Sequence, residues 1–342
     1  MKAAIYNPYL DSLGGGERYT LSFANLLLQK DYRVDLQWKD EEIINKLEKR
    51  FGFSLKNINT VPDIKRGDGY DLCFWVSDGS IPLLRSRKNI LHFQFPFKNV
   101  SGKSILNKMK LIRINKIICN SKFTKNFIDA EFSVNSQVIY PPVDVSSFKA
   151  KRKENIIIYI GRFSNLTQAK NQHQLIENFK KFFKKGYPDW KLILAGGTEV
   201  GADEYLLVLE KLSKGYPIEI IKSPEYRQLK ELVGKAKIFW SAVGYGINED
   251  KEPTKVEHFG ISVVEAMAAG AIPLVYSAGG SKEIIKDNFS GFLWRKQSEL
   301  INKTLTIIKD KRLLADLSKN AIAESKQFST ENFNNNFSTI IE

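Results

Sequence analysis

The chain is poor in the residues from which metal centres and disulfide frameworks are built. It has two cysteines, Cys73 and Cys119, and three histidines, His92, His173 and His258, in 342 residues. The two thiols share no metal-ligand spacing, which argues against a zinc ribbon or knuckle. Isolated thiols fit a reducing compartment, and no disulfide framework is expected. No apolar run approaches the roughly 18 residues that cross a bilayer. The first eight residues lack the apolar core of a secretory signal. Together these absences predict a cytoplasmic chain, at most peripheral on the inner membrane face. The G-x-G-x-x-G fingerprint of dinucleotide enzymes is missing, so an NAD-dependent reaction ranks last.

Length and charge are what the chain does have. Its 342 residues predict two domains of about 150 residues each. The formal charge of +14 predicts polyanionic partners: nucleic acid, an anionic membrane surface or phosphorylated substrates. Eleven basic residues fall between Arg85 and Lys125 without one acid. Such a stretch is either a solvated face or a docking surface.

Read in order, residues 3–6 are a short apolar strand, followed by Gly14, Gly15 and Gly16 and by an apolar-periodic helix over 19–29. Residues 33–38 supply the next strand. Strand, glycine loop and helix open a nucleotide-binding βαβ unit, and the glycines let backbone approach a ligand closely. Further strands are predicted over 71–75, 89–92, 116–120 and 137–140, with helices between several of them. That alternation predicts a parallel α/β sheet. His92 closes its strand, at the end where open sheets bind ligands. A polar break after Pro141 and Pro142 places a domain boundary near residue 148.

The second half restarts the alternation, with strands over 156–160, 191–195, 218–221, 237–241 and 271–276. Helices are predicted over 172–184, 202–213 and 226–235. Residues 244–256 read as a mobile loop, and after Gly291 helical patterns run to the C-terminus. The fold class expected is α/β, with two doubly wound Rossmann-like domains.

Two carboxylates stand eight positions apart in Glu257-His-Phe-Gly-Ile-Ser-Val-Val-Glu265, followed by Ala-Met-Ala-Ala-Gly270. Ser262 and Glu265 match a capping box, which would explain Glu265 structurally. Glu257 has no such explanation. Arg162 ends a predicted strand and Lys170 precedes a helix. A forked and a point cation beside a helix N-terminus suit a diphosphate, although two surface cations would read the same way. Gly279 and Gly280 add a second small-residue turn before residues 282–286.

These segments resemble the retaining family-4 glycosyltransferases of the GT-B fold, over essentially the whole chain. The most specific part is the Glu-x7-Glu motif, Glu257 to Glu265. Support comes from Gly14 to Gly16, His92, Ile118-Cys-Asn-Ser121, Pro141-Pro-Val-Asp144, Arg162 with Lys170, Gly279-Gly280 and Phe328-Ser-Thr-Glu-Asn-Phe333. The wording Gly-Gly-Gly-Glu-Arg with Glu-His-Phe-Gly-Ile is similar to the branch containing lipid-linked-oligosaccharide mannosyltransferases.

The resemblance implies an acceptor-binding domain over 1–148 and a nucleotide-sugar-binding domain over 149–326, facing across a cleft. A C-terminal helix, 327–342, would return to the first domain. It also implies roles. Glu265 would hold donor ribose hydroxyls, Glu257 and His92 would contact the donor sugar, and Arg162 and Lys170 would neutralise the departing diphosphate. Backbone N–H groups of Phe259, Gly260, Ile261, Gly279 and Gly280 would assist, and Gly15 and Gly16 would line the site near the diphosphate and acceptor. Residues 223–226 fall near the base pocket. The spacing from Arg162 to Lys170 is longer than the usual family pattern, through residues 163–169.

No cofactor or metal is implied, and no Asp-x-Asp motif stands in a suitable loop. The donor would be GDP-mannose or a UDP-sugar, and the acceptor a glycan or a polyprenyl-diphosphate glycan at an anionic membrane. Retention would follow front-side attack, or else a covalent glycosyl-carboxylate intermediate. Two rivals differ in class: a nucleotide-sugar epimerase on the same scaffold, which needs no acceptor, and a basic nucleic-acid-binding protein, for which no helix-turn-helix, zinc-knuckle or RRM signature is present.

Overall fold

The computed structural model describes residues 1–12, 14–52, 54–164, 168–198 and 201–341. The middle of the long segment between Arg162 and Lys170, residues 165–167, lies outside them, as does the last residue of the expected C-terminal helix. The chain divides into two units, one comprising Met1–Pro142 with Thr330–Glu342 and the other Val143–Ser329.

In the first unit the elements are β1 (Lys2–Tyr6), α1 (Gly15–Gln29), β2 (Arg33–Gln37), α2 (Glu42–Phe51), β3 (Ile58–Val61), β4 (Leu72–Val76), β5 (Lys88–Phe93), α3 (Ile105–Leu111), β6 (Lys116–Cys119), α4 (Lys122–Phe132) and β7 (Gln137–Val138). The seven strands form one parallel sheet, ordered β3-β2-β1-β4-β5-β6-β7. Ala3, Ala4 and Ile5 in β1 are all buried, as expected of a parallel strand covered on both faces. After β3 the chain crosses to the other side of β1 to form β4, so the order reverses between β1 and β4.

The core of this unit draws in the last helix. Tyr19 and Phe23 of α1 pack on Phe333 and Phe337, with ring centroids 5.0 and 4.4 Å apart for Tyr19–Phe333 and Phe23–Phe337. These two phenylalanines lie on the C-terminal helix (Thr330–Ile341). Lys88 donates to the carbonyls of Ile340 and Ile341, both at 2.7 Å, and so caps that helix with a cation at its negative end.

The second unit contains β8 (Glu154–Ile160), α5 (Gln172–Phe183), β9 (Lys191–Gly196), α6 (Asp203–Ser213), β10 (Ile218–Lys222), α7 (Tyr226–Lys235), β11 (Ala236–Ser241), α8 (Ile261–Ala268), β12 (Ile272–Tyr276), α9 (Ser281–Ile284), β13 (Phe292–Trp294), α10 (Gln297–Lys309) and α11 (Lys311–Ser325). The C-terminal helix is therefore α12. Six parallel strands run β10-β9-β8-β11-β12-β13, and the order reverses between β8 and β11. Trp240, fully buried, donates from its indole to Thr304 at 3.1 Å.

Four local readings are corrected. First, α1 starts at Gly15, not Tyr19, because the Glu17 carboxylate accepts from the Gly14 N–H at 2.6 Å and from Ser12 Oγ at 2.8 Å. Gly15 and Gly16 thus form the first helical turn. Second, Ser262 does not cap α8. The N-cap is Gly260, whose φ of 115° only glycine adopts readily, so Ser262 and Glu265 both lie inside the helix.

Third, residues 244–256 are not a free loop. Glu249 accepts from Gly279 N–H at 2.6 Å and pairs with Lys282 at 2.5 Å. Asn248 Oδ1 accepts from the N–H groups of Asp250 and Lys251, and Pro253–Lys255 form a 3-10 turn. Fourth, a three-residue strand, β13, interrupts the helical run after Gly291. It pairs with β12 along Leu274↔Phe292 to Tyr276↔Trp294.

Candidate donor site

The loops after three strands of the second unit carry the expected residues. Arg162 follows β8, Lys170 precedes α5, Glu257 precedes α8, and Gly279 with Gly280 follows β12. Because β8, β11 and β12 are neighbours, these loops meet at one edge of the sheet. That edge spans the reversal of strand order, where open α/β sheets bind ligands.

The centre of the arrangement is an ion pair. Lys170 Nζ lies 3.4 Å from Glu257 Oε2, with the two side chains 11% and 19% exposed. Burial opposes the charge on Glu257, but Lys170 and the Phe259 N–H outweigh it, and the carboxyl pKa lies below its ordinary value. Gln168 donates to the carbonyl of Val256 and accepts from Lys170, so the segment before α5 is stitched to the segment before α8. The neighbouring His258, held down to about 4 by burial, is neutral near pH 7.

Arg162 reaches the same strand end. Burial pushes the Tyr159 phenol well above its ordinary pKa, the Glu257 carboxylate pushes it further up, and the Arg162 cation draws it back. Gln172, buried at the start of α5, donates to the Arg162 carbonyl at 2.9 Å. The close crossing of β8 and β9 requires glycine. A Cβ on Gly196 would stand 1.9 Å from the Gly161 carbonyl oxygen. Ser223 donates its backbone N–H to Gly196 at 2.7 Å, so residues 223–226 begin beside β9.

Glu265 lies in α8 and is 6% exposed. Gly260 and Ile261 form the start of that helix, whose first-turn N–H groups have no intrahelical partner by construction. Phe259 instead commits its N–H to the Glu257 carboxylate. Gly279 and Gly280 are also committed: Gly279 donates to Glu249, and Gly280 donates to the Glu257 carbonyl at 2.7 Å. Their expected role as diphosphate donors is corrected accordingly. They are glycines because a Cβ would meet the backbone of Glu257 at 2.0 Å or of His258 at 2.1 Å. The turn fixes the Glu257 backbone.

In the first unit, Gly15 and Gly16 open α1. His92 is corrected most plainly. Its ring has no exposed surface, stacks on Tyr19 with centroids 4.2 Å apart, and contacts the Ile118 carbonyl through Nδ1 at 3.2 Å. Burial pushes its pKa down to about 3. It is buried with the strand face that points under α1, and among the described residues its Nε2 has no hydrogen-bond partner.

Two positions on, Gln94 stands at the strand exit, which the sequence reading missed. Gln94 is 6% exposed and, among the described residues, its Oε1 has no hydrogen-bond partner. A Cβ on Gly16 would fall 1.8 Å from that oxygen, so the amide lies directly against the first turn of α1. A polar side chain between Phe93 and Phe95 was the available signal.

A cavity of about 550 Å³ lined by Asn155, Tyr187, Trp190, Lys237 and Lys311 lies at the opposite, amino-terminal end of β8, β9 and β11. None of the site residues lines it.

The model of the family described as "Glycosyl transferases group 1" matches residues 144–324. Similar curated proteins are the GDP-Man:Man(3)GlcNAc(2)-PP-Dol alpha-1,2-mannosyltransferases of Dictyostelium discoideum and Homo sapiens, both 29% identical. The matches cover 65% and 66% of this chain and 46% and 48% of those proteins. The chain thus spans about half the length of these relatives.

Among solved structures, Anabaena HepE in complex with UDP-glucose has a TM-score of 0.76 at 18% identity, covering 100% of this chain and 99% of that one. A Rickettsia africae glycosyltransferase has a TM-score of 0.75 at 18% identity, covering 99% and 97%. These likenesses establish the GT-B fold, and the sequence match establishes the family: the chain belongs to the group 1 glycosyl transferases.

Proposed function

We propose that this chain is a retaining glycosyltransferase that moves a sugar, mannose favoured, from a nucleotide-diphosphate-sugar to a glycan carried on a polyprenyl diphosphate. The observation that carries the reading is the Lys170–Glu257 pair at the strand-order reversal, with Arg162 at the same strand end. The relatives named for GDP-Man and for a dolichol-linked glycan favour mannose and a lipid-linked acceptor.

In this reading the second unit binds the donor and the first the acceptor. Arg162 and Lys170 take up the charge that develops on the diphosphate as the glycosidic bond breaks, supported by the N-terminus of α8 at Gly260 and Ile261. Cationic side chains then do the work that a divalent ion does elsewhere, and no cofactor is needed beyond the nucleotide-sugar. Glu257, kept ionised by Lys170, accepts hydrogen bonds from sugar hydroxyls, and Glu265 accepts them from the ribose. The acceptor hydroxyl attacks from the face the diphosphate leaves, and its proton passes to a leaving phosphate oxygen. Gln94 and the first turn of α1 supply polar contacts in the acceptor unit.

Among the described residues no helix is long and apolar enough to cross a membrane. We place the acceptor at an anionic, inner-face membrane surface that the chain approaches peripherally.

Thermal-shift screening against GDP- and UDP-sugars tests the donor half. A ligand at a hundred times its Kd stabilises the fold by about 2.7 kcal/mol. One responder, lost in Glu265→Ala, supports the assignment. No responder with a folded protein counts against it.

A further inference from the structure

The lipid surface invoked for the acceptor has a physical counterpart on the first unit, in α3. This helix carries its apolar side outward. Ile105, Leu106, Met109 and Ile112 are 80%, 62%, 62% and 83% exposed, whereas Leu111 and Ile114 face inward and pack on the core beneath. At 100° per residue, Ile112, Ile105, Met109 and Leu106 span one continuous arc of about 120°. Lys108 borders that arc on one side and Lys110 on the other. Lys103 and Arg113, both exposed, flank the helix in sequence.

An apolar strip between cations is the pattern of a helix lying in a lipid interface, with side chains in the acyl boundary and lysines at the headgroups. The helix is also held rigidly. The Glu131 carboxylate accepts from the N–H groups of Asn99, Val100 and Gly102, at 2.9, 3.0 and 3.0 Å, and fixes the approach to α3. Ser104 then caps it by accepting from Asn107 N–H at 3.3 Å.

Two other cations of the 85–125 stretch are used internally and contribute less to such a surface. Lys88 caps α12 and Lys125 pairs with Asp129. Around α3, Lys103, Lys108 and Arg113 are exposed and Lys110 is half-buried beside the apolar arc, and Arg113 Nε also donates to the Leu84 carbonyl at 3.5 Å.

We propose that α3 is a membrane-docking element whose occupant is an anionic phospholipid surface, entered by Ile105, Leu106, Met109 and Ile112 and held by Lys103, Lys108, Lys110 and Arg113. The sign of the charge selects anionic over zwitterionic lipid. The proposal rests on the lipid-acceptor reading only for its purpose, and docking is measured without donor or acceptor.

Cys73 and Cys119 are buried, so Met109→Cys can be labelled selectively in the folded protein with an environment-sensitive fluorophore. Leu207→Cys, at an exposed apolar residue of α6, is the control. With phosphatidylglycerol vesicles at low salt, emission from position 109 is expected to shift to the blue and that from position 207 to stay unchanged. Phosphatidylcholine vesicles should leave both unchanged.

In an unlabelled chain, replacing Lys103, Lys108 and Lys110 by glutamine should lower vesicle partitioning on the order of a hundredfold. Serine at positions 105, 106, 109 and 112 should lower it on the order of tenfold or more, with the donor thermal shift retained. Silence at position 109 overturns the proposal, as does undiminished partitioning of the serine variant. Self-association lost in that variant would assign the face to a second copy and overturn it too. Loss of the donor shift in the wild type would strike the transferase reading and leave the docking result standing.

Discussion

Lys170 and Glu257 form an ion pair of 3.4 Å across 87 positions of sequence, joining the start of α5 to the loop before α8. Lys170 keeps the Glu257 carboxylate charged in a place only partly open to water. Their separation in the chain means that neither segment alone accounts for the site.

Removing one partner should therefore cost more than removing both. Lys170→Met leaves a largely buried carboxylate without its cation and should destabilise the second unit by roughly 1–3 kcal/mol. Adding Glu257→Gln should recover part of that loss. Urea unfolding of the two single variants and the double variant measures the coupling. Additive losses would show that the pair is not coupled.

The buried histidines set a pH dependence. Burial depresses His92 to about 3 and His258 to about 4 from an ordinary 6.5. The unfolded chain therefore binds protons that the folded one refuses. Their contribution to stability is complete above about pH 6.5 and is lost as pH falls toward 4. Each should lower stability by about 1.4 kcal/mol per pH unit across that window. Glu257, with its pKa also lowered, adds a further loss below about pH 4.5, in the same direction. His92→Phe keeps a ring against Tyr19 and should flatten the slope between pH 6.5 and 5, leaving the part that His258 and His173, whose pKa burial also lowers, contribute. An unchanged slope would mean that His92 is not the titrating group.

Two glycines should fail differently. Gly16→Ala puts a Cβ 1.8 Å from Gln94 Oε1, a side-chain obstacle, so Gln94→Ala should restore stability to the double variant. Gly280→Ala meets the backbone of His258 and Phe259 at 2.1 and 2.8 Å, and no side-chain truncation relieves it. Denaturation midpoints of the three variants distinguish the cases. A Gly280→Ala protein as stable as wild type would contradict this packing.

Glu249 should act as the tether of residues 244–256. Glu249→Ala removes the acceptor for Gly279 N–H and the partner of Lys282. Amide exchange at 245–252 and at Gly279 should rise by about tenfold while the β8–β11 strands keep their protection. Equal protection in both proteins would assign the tether elsewhere.

How much of this was legible from sequence follows from where the signals are local. Apolar runs such as Ile156 to Ile160 announce buried parallel strands, so both sheets and the Glu257–Glu265 segment were readable. Strands β3 and β13 were not: four and three residues at sheet edges carry too little pattern. Ser262 and Glu265 match a capping box by spacing, but the left-handed Gly260 starts the helix earlier, and a backbone angle leaves no mark beyond the glycine itself. His92 was readable as a strand end but not as core, because which face α1 covers is a tertiary fact. Gln94, on the same face one pleat further out, shows the consequence.

The central claim is sugar transfer with retention, and it can be measured directly. Wild type and Lys170→Met are incubated with GDP-mannose and a polyprenyl-diphosphate glycan, and the anomeric configuration of any product is read by NMR. The account predicts an α-linked mannose from the α-linked donor, with kcat lowered on the order of a hundredfold in the variant. An inverted product, or no transfer from any GDP- or UDP-sugar by the folded wild-type protein, would contradict it.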